Sequence, residues 1–220
     1  MPSAWVIGSL VIQSSLVILV ISLIVGFLFF TFIISSHSKV ETKKRIDEIS
    51  SLFTAFVISL WIGKIVINFS VFLADPRAIV AYPSDSKAFY FAVLATILYA
   101  KYRIITSTFH MWSVLFSFIV IFLSSSLIYE FIQILWGDKV QTWGYLGLLV
   151  MLLTIVILLQ EKIKTDRIAC IILVGWSIGK WALSVFSTTF VFHFYLHSSF
   201  YIIMFICSIG LIMNRKRLNR

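Results

Sequence analysis

Apolar residues run through this chain in long blocks, and polar residues gather in short clusters between them. A helix that crosses a bilayer needs about 20 mostly apolar residues, since a rise of about 1.5 Å per residue then covers the ~30 Å hydrocarbon core. Blocks of this kind fall at residues 15–35, 51–74, 84–100, 110–136, 144–159, 168–186 and 199–213, which predicts about seven transmembrane helices. The expected fold class is all-α, a polytopic membrane helix bundle, with residues 1–220 forming a single transmembrane domain. The first apolar run is longer than one span needs. Its opening part, residues 6–14 with Gly8 and Gln13, is expected at the outer surface. No basic residue precedes that run, so it lacks the pattern of a cleaved signal peptide and is expected to stay in the mature chain.

The polar clusters set the orientation. The connections after spans one, three and five, with the C-terminal tail, carry 13 of the 18 Lys and Arg residues, whereas the opposite side holds 3, namely Arg77, Lys87 and Lys139. Cationic connections resist translocation, so the N-terminus is expected outside and the C-terminus in the cytoplasm. Composition agrees. Hydrophobic residues make up 60% of the chain and charged ones 12%, with a mean hydropathy of +1.04. A soluble domain carries about a quarter charged residues, so a soluble fold is excluded. The net charge of +9 follows from the cytoplasmic clusters and gives no reason to expect nucleic acid as a partner. Cys170 and Cys207 fall inside apolar blocks without CxxC spacing, which predicts packing residues and no metal knuckle.

Three charges interrupt the spans: Lys64, Glu130 and Lys180. A charge at mid-depth costs about 2.5–3.5 kcal/mol on insertion scales unless it pairs or reaches water. One reading has the three lining a polar interior, Glu130 neutralising one lysine and the cations favouring an anionic guest such as a phospholipid headgroup. The other has them snorkelling to an interface. His193 and His197 have the i, i+4 spacing of half a zinc site on a helix, but with no third ligand in view they are expected to be interfacial residues in an aromatic belt, and no metal or cofactor is expected. His110 is expected as an interfacial anchor beside Met111 and Trp112, and Trp5, Trp112, Trp136 and Trp143 as belt residues at span ends. The run Ser124-Ser125-Ser126 and the glycines Gly63, Gly175 and Gly179 are expected on helix packing surfaces. No serine has a visible base with an orienting carboxylate, so nucleophilic catalysis has no support in the pattern.

Several segments, read in order along nearly the whole chain, resemble the prolipoprotein diacylglyceryl transferase family. They are Ile7-Gly8-Ser9-Leu10 with Val25-Gly26-Phe27-Leu28, Asp47 onward through Trp61-Ile62-Gly63-Lys64 to Asp75-Pro76-Arg77-Ala78-Ile79, Leu135-Trp136-Gly137 with Thr142-Trp143-Gly144, and Ile178-Gly179-Lys180-Trp181 with the basic tail. The resemblance implies a multi-pass protein of a bacterial-type cell membrane, a scaffold for moving diacylglycerol from phosphatidylglycerol to a lipobox cysteine, and partners that are membrane phospholipid, a lipoprotein or another membrane protein. The departures fall on the family's chemistry. Ser15-Leu16 stands where the family has tyrosine-glycine, and Phe89-Tyr90-Phe91 where it has histidine and two glycines. Ser126, Tyr129 and Ile134 replace the signature arginine, asparagine and glutamate, Lys180 replaces the late arginine, and Ser184 the glutamate after it. The large periplasmic segment between helices five and six is absent or much reduced.

The leading expectation is a transferase-like scaffold, catalytically degenerate, that binds phospholipid through Lys64 and Lys180, or a lipoprotein or membrane partner. A second is an active divergent diacylglyceryl or acyl transferase with Glu130 or an outer histidine as base. A third is a small transporter or transporter subunit with Lys64, Glu130 and Lys180 along its pathway.

Overall fold

The computed structural model describes residues 4–7, 10–34, 39–75, 85–106, 111–136 and 143–218. Two short strands open the chain, β1 (Ala4–Ile7) and β2 (Leu10–Gln13), paired antiparallel with Ala4 opposite Gln13 and Ile7 opposite Leu10. Helices follow: α1 (Ser14–Phe29, continued by one π turn over Phe30–Ile34), α2 (Lys39–Ile67), α3 (Phe69–Ala74), α4 (Ser86–Thr106), α5 (Met111–Trp136), α6 (Trp143–Leu159) and α7 (Thr165–Phe186). A second hairpin, β3 (Phe190–Val191) and β4 (Phe194–Tyr195), precedes α8 (Ser198–Leu218).

The chain is thus helical at every predicted span, with additions. Where residues 6–14 are expected at the outer surface, the described residues Ala4–Ile7 and Leu10–Gln13 pair as two short strands. The predicted span 51–74 is interrupted at Asn68, whose backbone N–H and side-chain Nδ2 both donate to the Lys64 carbonyl, at 3.1 and 3.0 Å, ending α2 before α3 begins. An asparagine amide competes with the helical ladder in this way because it reaches its own backbone four residues back. Among the described residues, Ser14–Ile33, Val40–Ile67, Met111–Trp136 and Thr165–Phe186 are long and apolar enough to cross a membrane, and Trp143–Leu159 and Ser198–Met213 are shorter apolar helices.

The chain divides into two compact units, one of Met1–Arg45 with His110–Arg220 and the other of Ile46–Phe109. In the first, α5 is the central helix. It packs against α1, α6 and α7, and α8 packs on α7. The α1–α5 seam is built from small residues: Ile18, Ser22 and Gly26 are buried at four-residue spacing on α1, facing a helix that buries Ser124, Ser125 and Ser126. A Cβ on Gly26 would lie 2.0 Å from Ser125 Oγ and 2.9 Å from the Ile121 carbonyl oxygen, so the two backbones approach as closely as glycine permits. The Cα–H of such a glycine faces oxygens on the partner helix, a weak but recurring form of helix–helix attraction.

The α6–α7 seam is also glycine-dependent. Gly144 meets Leu183, Leu148 meets Gly179 and Leu152 meets Gly175, an antiparallel ladder that advances one turn on each helix per step. Each leucine fills the space a missing side chain leaves. The outer face of α1 is as apolar as its inner one, with Leu16, Val20, Ile24 and Leu28 exposed at the same four-residue spacing.

In the second unit α2 and α4 run side by side. Phe91 lies over Gly63, and the rings of Phe56 and Phe89 meet edge to face at 5.6 Å. Arg103 Nη2 donates to Glu48 Oε1 at 2.8 Å; this hydrogen bond, reinforced by the carboxylate charge, holds the Arg103 guanidinium above its ordinary pKa. The pair faces solvent, where screening leaves it little weight in stability.

Candidate functional site: a caged lysine in the first unit

The site grows from the burial of α7. Its inner face carries the neighbours Ile168 and Ala169, then Ile172, Trp176 and Lys180 at four-residue steps, so that they share one side of the helix. Four of these are ordinary packing residues. Lys180 is not: it is 1% exposed, and its amino group ends inside the bundle.

What surrounds that group comes from four elements. The Nζ donates to the Phe190 carbonyl oxygen of β3 at 2.6 Å, sits 3.3 Å from the centre of the Tyr145 ring on α6, and lies 5.9 Å from that of Tyr201 on α8. Tyrosine faces carry negative quadrupole potential, so an ammonium held against them keeps part of the stabilisation it loses with water. Trp176 Nε1 donates to the Tyr145 hydroxyl at 3.4 Å, and the Trp176 ring meets Tyr201 edge to face at 5.9 Å, which fixes both tyrosines around the cation. Glu130, 3% exposed on α5, acts electrostatically on Lys180 and on Tyr145. Its neighbour Tyr129 accepts a hydrogen bond from Gln133 Nε2 at 3.3 Å.

The second hairpin closes this arrangement. Phe192, at its turn, has φ 54°, the left-handed region that favours glycine. A bulky residue persists there only when its surroundings hold it. The Phe192 ring packs edge to face between Phe122 at 5.7 Å and Tyr129 at 5.5 Å, and Phe122 in turn meets Trp176 at 5.5 Å. One connecting segment therefore supplies both the carbonyl on Lys180 and a ring inserted between helical aromatics. Beside it, Ser184, Ser187, Thr188, Thr189 and Ser198 border a hydroxyl-rich groove of about 260 Å³.

Of the three charges singled out in the sequence, Glu130 and Lys180 are both buried in this unit. Lys64 belongs to the other unit, where it is 6% exposed and its Nζ lies 5.3 Å from the Trp61 ring centre. His193 is in the hairpin turn and His197 follows β4, so their i, i+4 spacing does not put them on one helix face, and both are exposed. His197 Nδ1 is 3.0 Å from Ser199 Oγ, a local contact at the start of α8. Serine hydroxyls near the site are engaged with their own helix, Ser177 with the Leu173 carbonyl at 2.7 Å and Ser184 with that of Trp181 at 2.6 Å. Cys170 is buried in α7 and Cys207 exposed on α8. His110, Arg77, Lys139, Gly8, Gly137, Thr142 and the stretch Pro76-Arg77-Ala78-Ile79 lie outside the described residues, as do the side chains of Trp5 and of the basic tail. Tyr145, Trp176, Tyr201 and Phe192 were not singled out as site residues by the sequence. The first three sit in apolar blocks, where an aromatic marks a lipid face as readily as a cage, and nothing in sequence flags the Phe190 carbonyl.

No family model, curated protein or solved structure matches the chain.

Proposed function

We propose that the chain is a seven-span protein of a bacterial-type cell membrane, N-terminus outside, that binds the headgroup of an anionic phospholipid without transferring any part of it. The observation that carries this reading is the buried ammonium of Lys180, whose direct hydrogen-bond partner is a neutral carbonyl. Hydrocarbon disfavours a charge in that setting, and charges retained inside spans mark ligand sites or relays. A phosphate oxygen is a stronger partner for an ammonium than an amide carbonyl, since bonds between ionised groups are about twice as strong as neutral ones.

Membrane insertion is supported by the helix lengths and by outward faces such as Leu16, Val20, Ile24 and Leu28, which would form an unfavourable apolar patch in water. Phosphatidylglycerol is the headgroup the transferase-like segments favour, and Lys64, in the second unit, is a separate candidate cation. Lack of transfer is supported by the side chains around Lys180, which among the described residues are tyrosines, a tryptophan and a carboxylate and include no arginine fork to clamp a phosphate.

The test is a mass-spectrometric transfer assay, with purified protein in phosphatidylglycerol vesicles and a peptide bearing a lipobox cysteine. The expected result is an unchanged peptide mass alongside a working positive control. A mass gain of one diacylglyceryl group would mean that Glu130 or another base drives transfer, and the non-catalytic reading would be wrong.

A further inference from the structure

The Phe190 carbonyl touches Lys180 where a ligand oxygen would. We propose that the β3–β4 hairpin is an internal plug, which fills the anion site at Lys180 with its own backbone oxygen and must move aside before a headgroup phosphate can bind. This regulation rests on the headgroup reading given above.

Three features of the hairpin fit a plug better than a fixed wall. It is short, with two residue pairs, Phe190 with Tyr195 and Val191 with Phe194, closed by a Leu196 N–H to Thr189 carbonyl bond of 3.2 Å. A ladder of that size has little stability of its own. Its turn carries a phenylalanine at φ 54°, so the closed form is strained and the strain is released when the turn relaxes. Its holds include the Lys180–Phe190 bond and, two residues on, the Phe192 ring between Phe122 and Tyr129.

A hydroxyl-rich groove lies beside the hairpin. Ser184 lies one turn beyond Lys180 on α7, and Thr189 immediately precedes Phe190, so the hydroxyl-rich depression borders both the helix end and the hairpin base. Hydroxyls there donate to phosphate oxygens without adding charge. With the N-terminus outside, α7 runs outward, which puts the hairpin and groove at the level of outer-leaflet headgroups. A phosphate that replaces the carbonyl exchanges a neutral acceptor for an ionised one, and that difference in affinity is what shifts the hairpin to its open form.

Hydrogen–deuterium exchange of the full-length protein tests this in phosphatidylcholine vesicles, in the same vesicles with phosphatidylglycerol, and in phosphatidylcholine vesicles with inorganic phosphate. Amides of residues 190–196 should exchange slowly in phosphatidylcholine and at least fivefold faster once phosphatidylglycerol is added. The same acceleration by inorganic phosphate alone would keep the plug and assign the site to a free anion. Lys180→Met removes one hold and should leave the hairpin exchanging fast in all three conditions, with α5 and α7 still protected. Should that variant lose protection throughout, Phe192→Ala serves instead, releasing another hold without touching a buried charge. A hairpin that stays protected in whichever variant folds would overturn the plug. So would phosphatidylglycerol that binds the wild type while leaving these amides unchanged or slower, and headgroup binding would then stand without a plug. Fast exchange in the variant with no phosphatidylglycerol bound by the wild type would do the reverse, keeping the plug and removing the headgroup reading.

Discussion

Glu130→Gln is expected to destabilise the first unit by about 1–3 kcal/mol, because it removes a buried carboxylate whose charge acts on the buried Lys180. Neither residue can turn to water: Glu130 is 3% exposed and Lys180 1%. The Phe190 carbonyl and the Tyr145 ring remain in the variant, but they are dipole and quadrupole partners and cannot balance a whole charge. Lys180→Met should by contrast be milder when combined with Glu130→Gln than the two single losses summed, since the double variant leaves no uncompensated charge. Reversible unfolding in mixed micelles, read as a double-mutant cycle, measures this. Additive losses, or a Glu130→Gln variant within about 0.5 kcal/mol of the parent, would show that the two charges are not coupled.

Gly26→Val is expected to cost about 3 kcal/mol, near the upper end for overpacking, and to act on the α1–α5 seam. An added Cβ meets Ser125 Oγ at 2.0 Å and the Ile121 carbonyl at 2.9 Å. The serine hydroxyl can rotate away. The carbonyl belongs to a helix backbone and cannot, so α1 must back off and lose contacts along Ile18 and Ser22. Gly26→Ala combined with Ser125→Ala should recover part of the loss and no more, since the carbonyl stays. A Gly26→Val protein with unchanged unfolding would mean that this seam is not closely packed. Gly179 should behave differently, because its neighbour is the flexible end of Leu148, which can change rotamer.

These two sites also show what the sequence could and could not disclose. Glu130 and Lys180 were visible because a charge inside an apolar block stands out. Helices were visible for the related reason that long apolar blocks can satisfy their backbone only within themselves in a bilayer. Which face of each helix points inward was not visible. In water the polar face identifies itself, whereas on α1 the buried Ile18 and the exposed Leu16 and Val20 are equally apolar. The cage therefore stayed hidden among other aromatics, and Tyr145 and Tyr201 are distinguished only by the helices that bring them to Lys180. The opening hairpin left a faint signal, two Val/Ile-rich runs with Gly8-Ser9 between them, a dipeptide of the kind that joins paired strands. The break at Asn68 and the left-handed Phe192 are set by side-chain contacts that no periodicity encodes.

The central claim is that the buried Lys180 of the first unit holds an anionic headgroup, with Lys64 a separate candidate cation in the second unit. Native mass spectrometry of the protein released from membranes rich in phosphatidylglycerol tests it most directly, comparing the parent with the double variant Lys64→Gln/Lys180→Gln. The account predicts a phosphatidylglycerol adduct on the parent and at least a tenfold loss of it in the double variant, with zwitterionic lipid retained equally by both. Equal retention of phosphatidylglycerol by the parent and the double variant would contradict it.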